Sequence, residues 1–241
     1  MTRNAFDEAL TIAANFSINL RGVVDRLAIG GSLRRGVDVV KDIEIVVRPK
    51  YFDAGNMLEV KMEHLWENGF VTKRLNRNGH EIAWGKPGED SRFKAFTYRG
   101  VAIDLFIVLP DRDWGPTMVL RTGPGEANQA LVTTEGKRTR NGVWGLLPAG
   151  MRFEDGALWN GSEKLDTPEE VDVFNAIGLP WIPPHLRDHQ AYRNWLGLPP
   201  DYWEPTCGYI WRFGRPVEIP MITELGKAGD FSRPVTQQSL F

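Results

Sequence analysis

Between residues 5 and 20, Phe6, Ala9, Leu10, Ala13 and Phe16 recur every three or four positions, the spacing that gathers apolar side chains on one helical face. Asp7 and Glu8 stand early in that run, where the positive end of a helix dipole favours them. The pattern predicts an amphipathic opening helix. Leu27 to Ile29 forms a short apolar run that stops at Gly30-Gly31, and residues 42–47, DIEIVV, then alternate with the period of two that suits a strand. A second helix is expected from about Phe52 to Asn68. Short strands follow over residues 70–110, of which Val101 to Val108 is the most apolar and the candidate for deepest burial. Asn141-Gly142, between Lys137–Arg140 and Val143–Leu147, signals a tight hairpin. A further helix is expected from about Pro168 to Ile177, with Thr167 as its cap. Past residue 205 glycine, proline and polar residues become denser, and the final segment, DFSRPVTQQSLF, reads as a mobile tail. There is no internal repeat and no low-complexity block.

The alternation in DIEIVV has a chemical consequence. Side chains two apart on a strand share a face, so Asp42 and Glu44 point one way while Ile43, Ile45 and Val47 turn to the core. In VAIDLFIV, Asp104 interrupts an apolar run where a buried charge is costly without a partner. Three acids on neighbouring strands repel one another, and hard divalent cations are their natural neutraliser. A pair of Mg²⁺ ions on Asp42, Glu44 and Asp104 suits phosphoryl transfer. A D-x-E pair alone is a weak signal, because strand-end acids are commonly surface residues. The preceding segment IGGSLRRG strengthens it: two glycines allow a ligand close to the backbone, Ser32 can open a helix whose free N–H groups bind phosphate, and Arg34 and Arg35 add positive charge.

Composition narrows the remaining possibilities. The 241 residues, 42% hydrophobic, suffice for one large or two small cores. No stretch approaches the ~18 apolar residues of a membrane span, and the N-terminus lacks the form of a signal peptide, so a cytoplasmic protein without a membrane partner is expected. Cys207, the single cysteine, has no disulfide partner in the chain, and none of the four histidines neighbours it in a zinc pattern. His185 and His189, four apart, read as surface or packing residues. A net charge of −2 gives no global basic field, so nucleic-acid contact would fall to local clusters such as Lys137, Arg138 and Arg140, which could equally form a solvated edge. Trp181, Tyr192, Trp195, Tyr202, Trp203, Tyr209 and Trp211 read as core aromatics rather than a base-stacking platform.

The glycine turn and the acids together resemble DNA polymerase β and its X-family relatives, whose palm carries G-S-x-R-R-G, then D-x-D, then a third Asp. Gly31, Ser32, Arg34, Arg35, Gly36, Asp42 and Asp104 match that pattern. The resemblance implies an α/β fold of the α+β kind: a nucleotidyltransferase palm with a mixed, mostly antiparallel sheet plus a small α+β thumb. It implies that Asp42 and Glu44 hold two Mg²⁺ ions, with Mn²⁺ as a substitute, and that Asp104 ligates the catalytic one and assists the attacking 3′ hydroxyl. Gly31, Ser32 and Arg35 would contact the triphosphate. Glu44 departs from the family's usual Asp. RTGPGEANQALV is similar to the family's T-G-S segment followed by Asn, which implies Thr122, Gly123 and Asn128 as nucleotide contacts. Leu120-Arg121 replaces the usual aromatic pair there, leaving dNTP versus rNTP preference open. EEVDVFNAIGLPWIPPHLRD resembles the end of the family's thumb, so the likeness runs over roughly residues 3–190.

The domains expected on this resemblance are a palm at 1–120, a thumb-like subdomain at 121–205 and a C-terminal extension at 206–241. The chain starts at the palm, and no lyase or helix-hairpin-helix module is expected. Gln237, Ser239, Leu240 and Phe241 resemble the Q-x-S/D-L-F peptide that docks on bacterial sliding clamps, with two apolar anchors on a flexible tether; folding back onto the core is the bland alternative. The reaction implied is dNTP-dependent extension of a DNA primer on a template by a monomer, in repair or replication. A template-independent, RNA or small-molecule nucleotidyltransferase and a nonenzymatic clamp- or DNA-binding relative are the alternatives.

Overall fold

The computed structural model describes residues 4–53, 55–82, 84–85, 90–110 and 112–187, with the backbone alone of 209–212 and 215–218. The fold is α+β. Its first strand β1 (Asn4–Ala5) leads into helix α1 (Phe6–Asn19), followed by β2 (Val24–Ile29), the single-turn α2 (Gly31–Arg34), β3 (Val39–Val40) and β4 (Ile43–Pro49). A small antiparallel ladder of β5 (Tyr51–Phe52) and β6 (Gly55–Asn56) precedes α3 (Met57–Glu67), and β7 (Thr72–Lys73), β8 (Phe93–Tyr98) and β9 (Val101–Ile107) follow.

Five of these strands form one sheet in the order β2-β4-β9-β8-β7, and β1 pairs separately with β3. Only the central β4–β9 pairing is parallel; the other three are antiparallel. Ile43, Ile45 and Val47 of β4 and Ile103, Leu105 and Ile107 of β9 turn toward one face, where they pack with Phe16 of α1 and Leu58, Met62 and Leu65 of α3. Phe16 meets Phe96 at 5.0 Å and Tyr98 at 5.3 Å between ring centroids. Fully burying such a side chain stabilises by roughly 1.5–3 kcal/mol. The opposite face carries Ala28, Val46, Phe106 and Val108, covered by Trp114 and Met118 of α4 (Trp114–Leu120).

Beyond α4 come α5 (Gly125–Val132), a meander of β10 (Met151–Glu154), β11 (Ala157–Asn160) and β12 (Glu163–Lys164), and α6 (Glu170–Ala176). These share a second core in which Leu131, Leu158, Phe174, Trp181 and Ile182 are buried. An antiparallel pair, β13 (Tyr209–Arg212) and β14 (Arg215–Glu218), completes the described elements.

The opening helix and the acid-bearing strands form as the periodicity predicts; the differences lie at element ends. Asp42 sits in a bend, one residue before β4 begins. The second helix starts at Met57 rather than Phe52, because Asn56 Oδ1 accepts the Leu58 N–H at 3.0 Å and caps it there. The helix expected from Pro168 starts at Glu170 and is not capped by Thr167. Asp172 Oδ2 accepts the Glu169 N–H at 2.9 Å, while the buried Thr167 hydroxyl turns to Asp113. Asn141-Gly142 makes a tight turn with one bridge, Arg138 to Trp144, instead of an extended hairpin. Trp181 is a core residue as expected. His189, Tyr192, Trp195, Tyr202, Trp203, Cys207 and the 237–241 peptide lie outside the described residues, as do the side chains of Tyr209 and Trp211.

Candidate active site

The parallel register of β4 and β9 sets Glu44 directly beside Asp104, on the face turned away from α1 and α3. Asp42 approaches from the bend before β4. The three carboxylates act on one another. Burial, reinforced by the Asp42 charge, pushes the Glu44 carboxyl up to about 7, although the Arg35 and Arg121 cations pull the other way. Burial also raises Asp104, against the pull of Arg74. Arg74, just past β7, donates from Nη1 to Asp104 Oδ1 at 2.6 Å.

The glycine turn is pressed against these acids. Gly30 donates its N–H to the Glu44 carbonyl at 2.8 Å, and Gly31 donates to the Arg121 carbonyl at 2.6 Å. Gly31 has a φ of +59°, and a Cβ built there would lie 1.7 Å from Glu44 Oε2; one at Gly30 would lie 2.6 Å from the Arg121 carbonyl oxygen. Both a left-handed backbone and the absence of a side chain are therefore required at Gly31. The half-buried Ser32 stands in the single turn of α2.

The two arginines of the turn part company. Arg35 Nη1 donates to the Thr122 carbonyl at 2.5 Å. Arg34, read from sequence as added charge for an anion, is 2% exposed and directed inward. It donates to Thr122 Oγ1 and to both carboxylate oxygens of Glu170, which also accepts from Arg187 Nη1 at 2.6 Å. Burial alone would raise the Glu170 carboxyl, but the Arg187 and Arg34 guanidiniums outweigh it and hold the group at about 2.

Thr122 is fully buried, with its hydroxyl occupied by Arg34. Asn128 donates from Nδ2 to the Leu120 and Gly123 carbonyls at 2.6 and 3.1 Å, bracing the turn after α4. A Cβ on Gly123 would come within 2.3 Å of Asn128 Oδ1, which finds no hydrogen-bond partner among the described residues. Lys137, Arg138 and Arg140 are exposed on the turn that follows α5, with the Arg138 guanidinium 4.3 Å over the Trp144 ring. This basic group is separate from the acids.

A cleft of about 590 Å³ opens onto Glu44 and Asp104 and runs past Phe106, Arg121 and Phe93 toward Asp155. Among the described residues, no three acid or imidazole groups converge on a single point. Glu44 Oε2 is turned to Gly31 and Asp104 Oδ1 to Arg74. The donor chemistry nevertheless fits a hard divalent cation, since the Glu44 and Asp104 carboxylates open onto one cleft, and the Asp42 charge adds to the burial that raises the Glu44 carboxyl. Arg74 and Glu170 carry no local sequence signal, because their partners lie far along the chain. Arg121 did carry one, standing where the resemblance calls for an aromatic residue.

Residues 147–188 match the family described as DNA polymerase beta thumb. DNA polymerase lambda of Arabidopsis thaliana is 29% identical over 164 residues, covering 66% of this chain and 31% of that protein. DNA polymerase lambda of Rattus norvegicus is 27% identical over 169 residues, covering 66% of this chain and 28% of that protein. The chain thus spans less than a third of the length of either relative. By these matches the chain is similar to the DNA polymerase β-like X family over about two thirds of its length.

Proposed function

We propose that the chain is a DNA polymerase X-like nucleotidyltransferase that adds nucleotides from dNTPs to a primer 3′ hydroxyl during DNA repair or replication. The observation that carries this reading is the juxtaposition of Glu44 and Asp104 beside the Gly30-Gly31 turn, in a cleft wide enough for a nucleotide. Asp42, Glu44 and Asp104 would hold two Mg²⁺ ions, which when bound supply positive charge to the triphosphate.

The chain's own residues divide the remaining work. Arg74 occupies Asp104 Oδ1, leaving Oδ2 to accept the proton of the 3′ hydroxyl. The hydroxyl oxygen then bonds to the α-phosphorus as the bond from that phosphorus to the α,β-bridging oxygen breaks, and pyrophosphate leaves. Gly31, Ser32 and Arg35 contact the triphosphate, and Gly123 and Asn128 shape the nucleotide's edge of the site, with Thr122 fixing their backbone from beneath. Lys137, Arg138 and Arg140 lie on an exposed turn suited to a template or primer backbone. The proposed division is a palm at 1–120, a thumb at 121–205 and an extension at 206–241 whose tail, Gln237, Ser239, Leu240 and Phe241, docks on a sliding clamp; the tail enters on sequence alone.

Primer extension on gapped duplex DNA with Mg²⁺ or Mn²⁺ tests the reading, with Asp42→Asn/Glu44→Gln as control. Template-directed addition that disappears in the control is the expected result. Addition without regard to template points to terminal or small-molecule transfer, and no addition with either metal overturns the enzyme reading.

A further inference from the structure

Arg121 has a role in neither the expected chemistry nor the relatives' descriptions. It ends α4, where its N–H donates to the Thr117 carbonyl at 2.9 Å and its carbonyl accepts from Gly31 at 2.6 Å. The backbone from which its side chain departs is therefore tied to the same turn that packs on Glu44. The guanidinium carbon lies 4.0 Å over the Phe106 ring, and Phe106 stacks on Phe93 at 4.9 Å with 22° between planes. A guanidinium laid on an aromatic face keeps its full charge while its orientation is restricted.

Phe106 follows Asp104 by two residues on β9, so the ring and the carboxylate share a face. The stacked cation stands over the cleft onto which Glu44 and Asp104 open. Among the described residues, no ion pair ties Arg121 to either acid, although its charge acts on Glu44 through space. Arg74 and Arg35, by contrast, are hydrogen-bonded to Asp104 and to the Thr122 carbonyl.

We infer that Arg121 is a positioning residue that sets the divalent-ion affinity of the acid site, as a resident counter-cation whose charge opposes ion entry. The inference rests on the metal-dependent reading above. In the metal-free chain Arg121 offsets part of the repulsion among Asp42, Glu44 and Asp104. A divalent ion arriving between the same acids meets a fixed like charge across the cleft, which weakens its binding. The Phe106–Phe93 stack keeps that charge in place instead of letting it swing into solvent.

The test is Mn²⁺ binding to the metal-free full chain at low ionic strength, followed by the paramagnetic resonance of free Mn²⁺. Replacing the charge by Arg121→Leu should lower the Mn²⁺ Kd at least about three-fold, with Arg121→Gln shifting in the same direction, since screening is weakest at low salt. Arg121→Lys, which keeps the charge, should stay within about two-fold of the native protein. A native protein that binds Mn²⁺ while the Leu and Gln variants bind it no more tightly overturns the inference and leaves the polymerase reading standing. So does an equal shift in Leu and Lys, which would make packing on Phe106 the cause. A native chain that neither binds Mn²⁺ nor extends a primer removes the metal-dependent reading and the inference with it.

Discussion

Arg34 donates to Glu170 through both terminal nitrogens, Nη1 to Oε1 at 3.0 Å and Nη2 to Oε2 at 2.6 Å, joining the turn of α2 to the first turn of α6 across 136 positions of sequence. Arg187 completes the group by donating from Nη1 to the same Oε1 at 2.6 Å, and Arg187 and Glu170 are both almost wholly shielded from solvent. The planar fork of arginine matches a carboxylate at two points, which fixes geometry as well as charge. The arrangement holds the turn that abuts Glu44 in a set position relative to the second core.

Breaking this group should be expensive. Glu170→Gln leaves two buried guanidiniums without a counter-charge, a situation that costs about 3–5 kcal/mol. Urea denaturation at pH 7 should show a loss of that order. Because the folded carboxyl lies at about 2, below its ordinary value of 4.5, its contribution is present above about pH 4.5 and fades as pH falls toward 2. The gap between native and variant should therefore narrow in acid. An unchanged midpoint at pH 7 would show that the group does not stabilise the fold.

Glu44 has the opposite sign. Its folded value of about 7 lies above the ordinary 4.5, so the folded protein retains a proton there that the unfolded chain has released. Stability from this group is present below about pH 4.5 and is lost as pH rises through 7, an effect of about 3 kcal/mol at most. In chelator, Glu44→Gln should match the native protein near pH 4.5 and exceed it in melting temperature above pH 7. Parallel stability profiles across that range would refute the assignment.

Arg74 orients Asp104 from just past β7, so in the proposed reaction its loss should act on the chemical step more than on nucleotide binding. Arg74→Gln is expected to lower kcat about ten-fold or more with a much smaller change in KM, and Arg74→Lys should recover part of the loss. A change confined to KM, or a Lys variant no better than Gln, would count against a role through Asp104.

The alternation of DIEIVV and VAIDLFIV was enough to send Glu44 and Asp104 to the polar side of their strands, because the direction of a strand side chain is a local property with a period of two. Gly30-Gly31 marked a close backbone approach for an equally local reason, the missing Cβ. Element ends were less legible: Asn56 and the Glu169–Asp172 pair stop two helices short of the apolar pattern, since a cap is one hydrogen bond that periodicity does not encode. Nothing local distinguished Arg34, which turns inward to Glu170, from its neighbour Arg35. Sequence alone thus determined which residues carry the acids and which way they face. Tertiary structure decided the β4–β9 register that sets Glu44 beside Asp104, and whether each guanidinium meets a carboxylate, a carbonyl or an aromatic ring, because those partners belong to segments brought together only when the two cores pack.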